Sequence, residues 1–171
     1  MKKIISSFFI FLAIQCFAFS NVYDSPQNLD IILVKLPELK SIKCKFKQEK
    51  YLKNISKPII SSGDFEFVKN KGVYFTTTYP IQAQTNYTNK NYKQINEIIN
   101  AISSKKYSKI EKEFDFYYED KKSDWILGIC PKSKSQSAEF ISYITLSGQD
   151  YINKIEIKQT NGNKIILWLT K

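Results

Sequence analysis

SIKCKFKQEKYLKNISKPIISSGDFEFVKNKGVYFTTTYP, residues Ser41–Pro80, alternates apolar and charged residues through three successive segments. Ile42, Cys44 and Phe46 alternate with Lys43, Lys45 and Lys47; Phe65 and Phe67 with Asp64 and Glu66; Val73 and Phe75 with Tyr74 and Thr76. A period of two sends each apolar set to one face of a strand and each polar set to the other. Lys71-Gly72 supplies a turn between the second and third strands. Pro58 keeps the polar link Lys53–Ser62 out of a central strand. The product is a meander with a Phe-rich face and a lysine-bearing face.

The same alternation returns from Glu113 onward. Phe114 and Phe116 form one set, and Trp125, Leu127 and Ile129 a second. Phe140, Ile144 and Leu146 form a third, Ile155 and Ile157 a fourth, and Lys164–Thr170 a last strand. Asn161-Gly162 between alternating runs is a hairpin signal. Ile81–Thr88 reads as a short fourth strand of the first block. About nine strands follow one another through tight turns, so the sheet is antiparallel, and so many strands curl.

Two helical stretches break the pattern. Ser25-Pro26 resembles a helix start, and Leu29, Ile32, Leu33 and Leu36 then recur at helical spacing over about three turns. Between the strand blocks Ile95, Ile98, Ile99 and Ile102 share one side of a helix, with Asn96, Glu97, Asn100 and Ser103 on the other. A short second helix begins near Ser108. Both apolar stripes need a partner, and the oily face of the sheet offers one. The expected fold is mainly β with helices: a curved antiparallel sheet, or unclosed β-barrel, with helices over its concave face.

The chain has 171 residues. Lys2 and Lys3, the apolar run Phe8–Ile14 and the small residues around Ala18 and Ser20 predict a signal peptide over 1–20, cleaved near Ser20-Asn21. The run is too short for a transmembrane helix; an uncleaved anchor and a lipid-modified Cys16 are the alternatives. A single domain over 21–171 remains, large enough for a substantial core, and export makes it a periplasmic protein. Removing two leader lysines from a net charge of +10 leaves +8. All basic residues are lysine. Without arginine the bidentate contacts that read nucleic acid are missing, and no nucleic-acid partner is expected. A solvated basic surface is the plainer reading, with attraction to anionic headgroups as the other.

Cys44 and Cys130 remain after the leader. An oxidising compartment permits a bridge, whereas alternation places the two on different faces. With no His and two thiols, no metal site is expected, and no cofactor. The commonest general base is absent. Asp64 and Glu66 lie on the polar strand face, and Ser103 and Lys106 fit a four-residue pattern without its companions. An enzyme is not expected.

The residues of Ser41–Pro80 resemble the outer-membrane lipoprotein carrier (LolA) family. The matching pattern is Ile42, Cys44, Phe46 and Gln48, then Gly63, Phe65 and Phe67, a basic turn, Phe75 and Pro80. Trp125, Leu127, Ile129 and Pro131 continue it. The turn Lys69-Asn70-Lys71-Gly72 carries lysines where family members often have an arginine that helps hold the lid, and a bulky aromatic strand is missing around Asn86–Tyr92. The resemblance implies a monomeric periplasmic shuttle for the acyl chains of lipoproteins or other lipids. An inner-membrane release complex and an outer-membrane acceptor would be its partners. Its acyl cavity would be lined by Phe46, Phe65, Phe67, Val73, Phe75, Trp125 and Leu127, with Leu33, Leu36, Ile98 and Ile102 from the helices. The competing expectation is a secreted, non-catalytic interaction module whose β core is filled by its own aromatics.

Overall fold

The computed structural model describes residues 22–23, 25–86 and 93–171. The expected leader with its cleavage site and Cys16 lies outside the described residues, as does 87–92. The element order is α1 (Leu29–Lys35), β1 (Ile42–Tyr51), β2 (Ile59–Val68), β3 (Gly72–Tyr79), β4 (Ala83–Asn86), α2 (Lys93–Ser104) and α3 (Ser108–Glu113). There follow β5 (Phe114–Lys121), β6 (Asp124–Pro131), a 3-10 turn (Gln136–Glu139), β7 (Ile141–Gly148), β8 (Ile152–Gln159) and β9 (Lys164–Thr170).

The nine strands form one antiparallel sheet in the order β4-β3-β2-β1-β9-β8-β7-β6-β5. Its halves are joined by β1 and β9, where Phe46 pairs with Leu169 on one side and with Gly63 of β2 on the other. The outermost strands, β4 and β5, do not pair with each other, so the curved sheet stays unclosed. The predicted alternation sets the faces. The inner face carries Phe46, Phe65, Phe67, Phe75, Trp125, Leu127, Ile129, Ile144, Ile155 and Leu167, which share one buried cluster with Leu29, Ile32, Ile98 and Ile102 of the helices. The outer face carries Lys43–Glu66 and Lys45–Asp64 cross-strand ion pairs at 3.2 and 2.5 Å. These exposed pairs contribute little stability. They occupy both carboxylates of the Asp64/Glu66 pair.

Local chemistry shifts several expected boundaries. α1 starts later and is shorter than its apolar spacing predicts: Asn28, not Ser25, is its cap, and the Asn28 side chain accepts from the Asp30 N–H at 2.7 Å. Capping by an Asx oxygen outweighs the favourable Pro at the first turn. Gln27 is instead bridged to Phe116 of β5. In the β2–β3 turn the left-handed residue is Asn70 (φ 66°), with Gly72 (φ 120°) opening β3. Phe140 does not belong to the inner face; it is 60% exposed and precedes β7. A register shift between Ile141 and Tyr143 brings Ile141, rather than Phe140, onto the side of Ile144. A bulge of this kind changes the parity of everything before it.

α2 also departs from its pattern. Asn96 and Ser103, predicted on the polar side, are buried. The Asn96 Oδ1 accepts from the Val73 N–H at 3.1 Å and from Asn100 Nδ2 at 3.2 Å. Satisfying a strand N–H beneath a helix is what makes a buried amide tolerable. Among the described residues Cys44 and Cys130 are free thiols. Cys44 is buried on the inner side and Cys130 partly buried on the outer, and burial pushes both thiols up.

Ahead of α1 the chain crosses from one side of the sheet to the other. Tyr23 lies on the outer face, over Gly128, where an added Cβ would approach its ring to 2.6 Å. Its hydroxyl shares a hydrogen bond with Thr145 Oγ1 at 2.7 Å, and its ring meets Tyr117 and Tyr143 at 5.3 Å each. Gln27 then lies along the β5 edge: its N–H donates to Phe116 O at 2.7 Å and its Nε2 to Tyr118 O at 2.8 Å. This strap ties the start of α1 to the sheet. Burial pushes the Tyr23 phenol far above the ordinary tyrosine value, with the Thr145 hydrogen bond opposing. The neutral phenol is therefore favoured in the folded chain. Its contribution is complete below about pH 10, the unfolded value, and is lost as pH rises beyond that. Tyr23→Phe should cost about 1 kcal/mol at neutral pH. The gap in urea midpoint between wild type and variant should narrow at alkaline pH; a gap that widens there would contradict the assignment.

Candidate functional site

The helices do not seal the inner face from end to end. A cleft of about 660 Å3 opens where β1 begins and β9 ends. Phe65, Phe67, Ile155 and Leu169 form its floor, Ile99 of α2 overhangs it, and Leu39, Ile42, Tyr151 and Ile152 line its walls. Ligand sites for small apolar molecules occupy roughly 300–1,000 Å3. The rim is charged: Lys40, Lys43 and Lys171 face Glu38 and Asp150. Lys43 is paired with Glu66, and Lys171 Nζ sits 4.5 Å from the Tyr151 ring centre.

Glu38 on this rim belongs to a clasp. Its carboxylate accepts from Lys69 Nζ at 2.8 Å, and the Lys69 N–H donates to Ser41 Oγ at 3.0 Å. The Lys69 hydrogen bond and charge hold the Glu38 carboxyl below its usual range. The β2–β3 turn thus contacts the segment that follows the first helix through lysine.

A second cleft, about 450 Å3, opens at the opposite end of the same face. It is lined by Ile95, Ile141, Ile144, Ile157 and Ile165 among others, with exposed Phe140 at its border. Ile95 and Ile99 are one turn apart on α2 and face different clefts. The helix therefore lies across the middle of one trough and divides it.

The predicted cavity residues are only partly brought together. Phe65 and Phe67 floor the first cleft. Phe46, Val73, Phe75, Trp125, Leu127, Ile98, Ile102 and Leu36 are buried within the packed cluster, and Leu33 is half-buried against it. Phe46 and Phe65 each contact Phe75 edge-on, at 5.3 and 5.2 Å. Sequence reading missed Leu39, Tyr151, Ile152 and Leu169. They come from a linker, a turn and two strand ends, and only the β1–β9 and β8–β9 pairings gather them. Ser103 Oγ donates to the Asn100 carbonyl at 3.1 Å.

Sheet order, helices and clefts define a class of architecture: an unclosed antiparallel half-barrel whose inner face is roofed by helices and left open at both ends. Among solved structures the chain is similar to a LolA superfamily protein from Nitrosomonas europaea. That match has 9% identity and a TM-score of 0.41, and covers 83% of this chain and 91% of the other. So loose an overlap names neither a family nor a ligand. No family model matches the chain, and no curated protein matches it.

Proposed function

We propose that this chain is a carrier of acyl chains. It takes the tail of a lipoprotein or other lipid into the first cleft and shuttles it across the periplasm, as a monomer, from an inner-membrane release complex to an outer-membrane acceptor. The observation that carries the reading is the cleft itself: Phe65, Phe67, Ile155 and Leu169 at its bottom, Ile99 above, and half-buried Ile42 and Tyr151 on its walls, under a rim that carries Lys40, Lys43 and Lys171. A hydrocarbon entering the cleft would cover the accessible parts of Ile42 and Tyr151 and its own apolar surface, at about 25 cal/mol per Å2. The resemblance in residues 41–80 points to the same cargo. The test is titration with a fluorescent fatty acid, read together with native mass spectrometry. Saturable uptake of one tail per chain is expected. Ile42→Glu, which puts a carboxylate on the half-buried wall of the cleft, should remove uptake while leaving the circular dichroism spectrum intact. Absence of uptake by the wild type ends this reading.

The alternative, an interaction module with a filled core, draws support from Val73, Ile98, Ile129 and Ile144, which are fully buried in the packed cluster. Salt-sensitive recovery of a protein from envelope extracts, with no displaceable lipid, would favour it.

A further inference from the structure

The end of the sheet opposite the first cleft combines features that the carrier reading leaves unused. The β1–β2 connection runs KYLKNISKPIISSG, Lys50–Gly63, with three lysines and no acidic residue. Ile55, Ile59 and Ile60 on it are 51%, 50% and 40% exposed. Pairing of Ser62 with Tyr79 brings the β3–β4 corner to the same end, and there Tyr79 and Ile81 are also exposed. The connection is held in place and does not hang free: the Lys53 N–H donates to Asn163 Oδ1 at 3.0 Å, and Lys53 packs against Gly162 of the β8–β9 turn. The nearest acid on β1, Glu49, is already engaged by Lys47 at 2.8 Å and by the Tyr51 hydroxyl at 2.7 Å.

Single exposed apolar residues are ordinary. Five large ones at one end of a sheet, interleaved with lysines that form no ion pair among the described residues, match the chemistry of an interfacial membrane contact. There, apolar side chains enter the headgroup boundary while lysines meet anionic phosphates. We infer that this end, formed by the β1–β2 connection and the β3–β4 corner, docks reversibly on an anionic phospholipid bilayer. The contact goes beyond the carrier reading and is independent of the first cleft, which opens at the other end.

The test uses the full chain after leader removal and sedimentation with sucrose-loaded vesicles. One set is pure phosphatidylcholine, the other phosphatidylcholine mixed equally with phosphatidylglycerol. Binding to the mixed vesicles alone is expected, and it should weaken with salt. Lys50→Gln, Lys53→Gln and Lys57→Gln together should lower the partition coefficient on the order of a hundredfold, about fivefold per lysine. The corresponding Lys→Arg triple should retain binding, which guards against a folding artefact. Ile55→Ser with Ile60→Ser should weaken binding without changing its salt dependence. Equal binding to both vesicle types, no binding by the wild type, or full binding by the Gln triple or the Ser double would each overturn the proposal. So would a dimer in vesicle-free buffer that the same variants dissolve, since the surface would then pair copies of the chain. Fatty-acid uptake by Ile42→Glu reports on the first cleft alone, so either reading can fail without the other.

Discussion

Phe75→Ala is expected to lower the free energy of unfolding by about 3–5 kcal/mol. Phe75 is 2% exposed and holds the first strand block together: its ring meets Phe46 at right angles and Phe65 at 63°. Truncation removes the transfer gain of the ring, leaves a void in the packed cluster, and cancels two edge-on contacts worth roughly 0.5–1.5 kcal/mol each beyond area. Total stabilities of single domains are about 5–15 kcal/mol, so the variant should stand near the edge of folding. Urea unfolding followed by tryptophan fluorescence measures it. A loss below about 1 kcal/mol, the level of an ordinary substitution, would show that the ring is not packed as described. The same burial governs how the cleft can be probed. A carboxylate at Phe67 or Phe75 would sit unpaired in the core and unfold the chain, whereas the wall position Ile42 can accept one.

Gly63→Ala should cost about 3 kcal/mol, the upper end of the range for over-packing. A Cβ at Gly63 would stand 2.0 Å from the Thr76 carbonyl oxygen and 2.9 Å from the Thr77 Cα. Both are backbone atoms, so no side chain can swing aside. The crowding arises where the β2–β3 register shifts between Ser62 and Gly63. Thermal unfolding of the Ala variant is the measurement. A midpoint equal to that of wild type would mean that the register at this bulge is not as described.

Strand identity was legible because alternation is a local property. Phe65 had to share a face with Phe67, and Trp125 with Leu127, whatever their partners, and they do. Parity fails where an extra residue enters a ladder, and that is why Phe140 is exposed although its spacing from Ile144 predicts a shared face. Tertiary hydrogen bonds were invisible for the same reason. Asn96 looks like a solvated helix residue until β3 supplies the Val73 N–H, and Tyr23 finds Thr145 at a sequence distance of 122 residues. The cleft was half legible. Its floor lies on patterned strands, but its walls come from a linker and a turn, where no periodicity marks which residue faces inward. Nor could composition tell a ring that fills space from one that borders it: Phe75 and Phe67 look alike in sequence, yet only Phe67 lines the opening.

The strap at Gln27 also bears on self-association. A sheet that never closes exposes two rims to which a foreign strand can add. On the β5 rim, the carbonyls of Phe116 and Tyr118 are already occupied by Gln27. The other rim, β4, spans four residues, a short template for templated growth. Cutting the chain ahead of Asn28 would uncover the longer rim, and aggregation should then begin at β5.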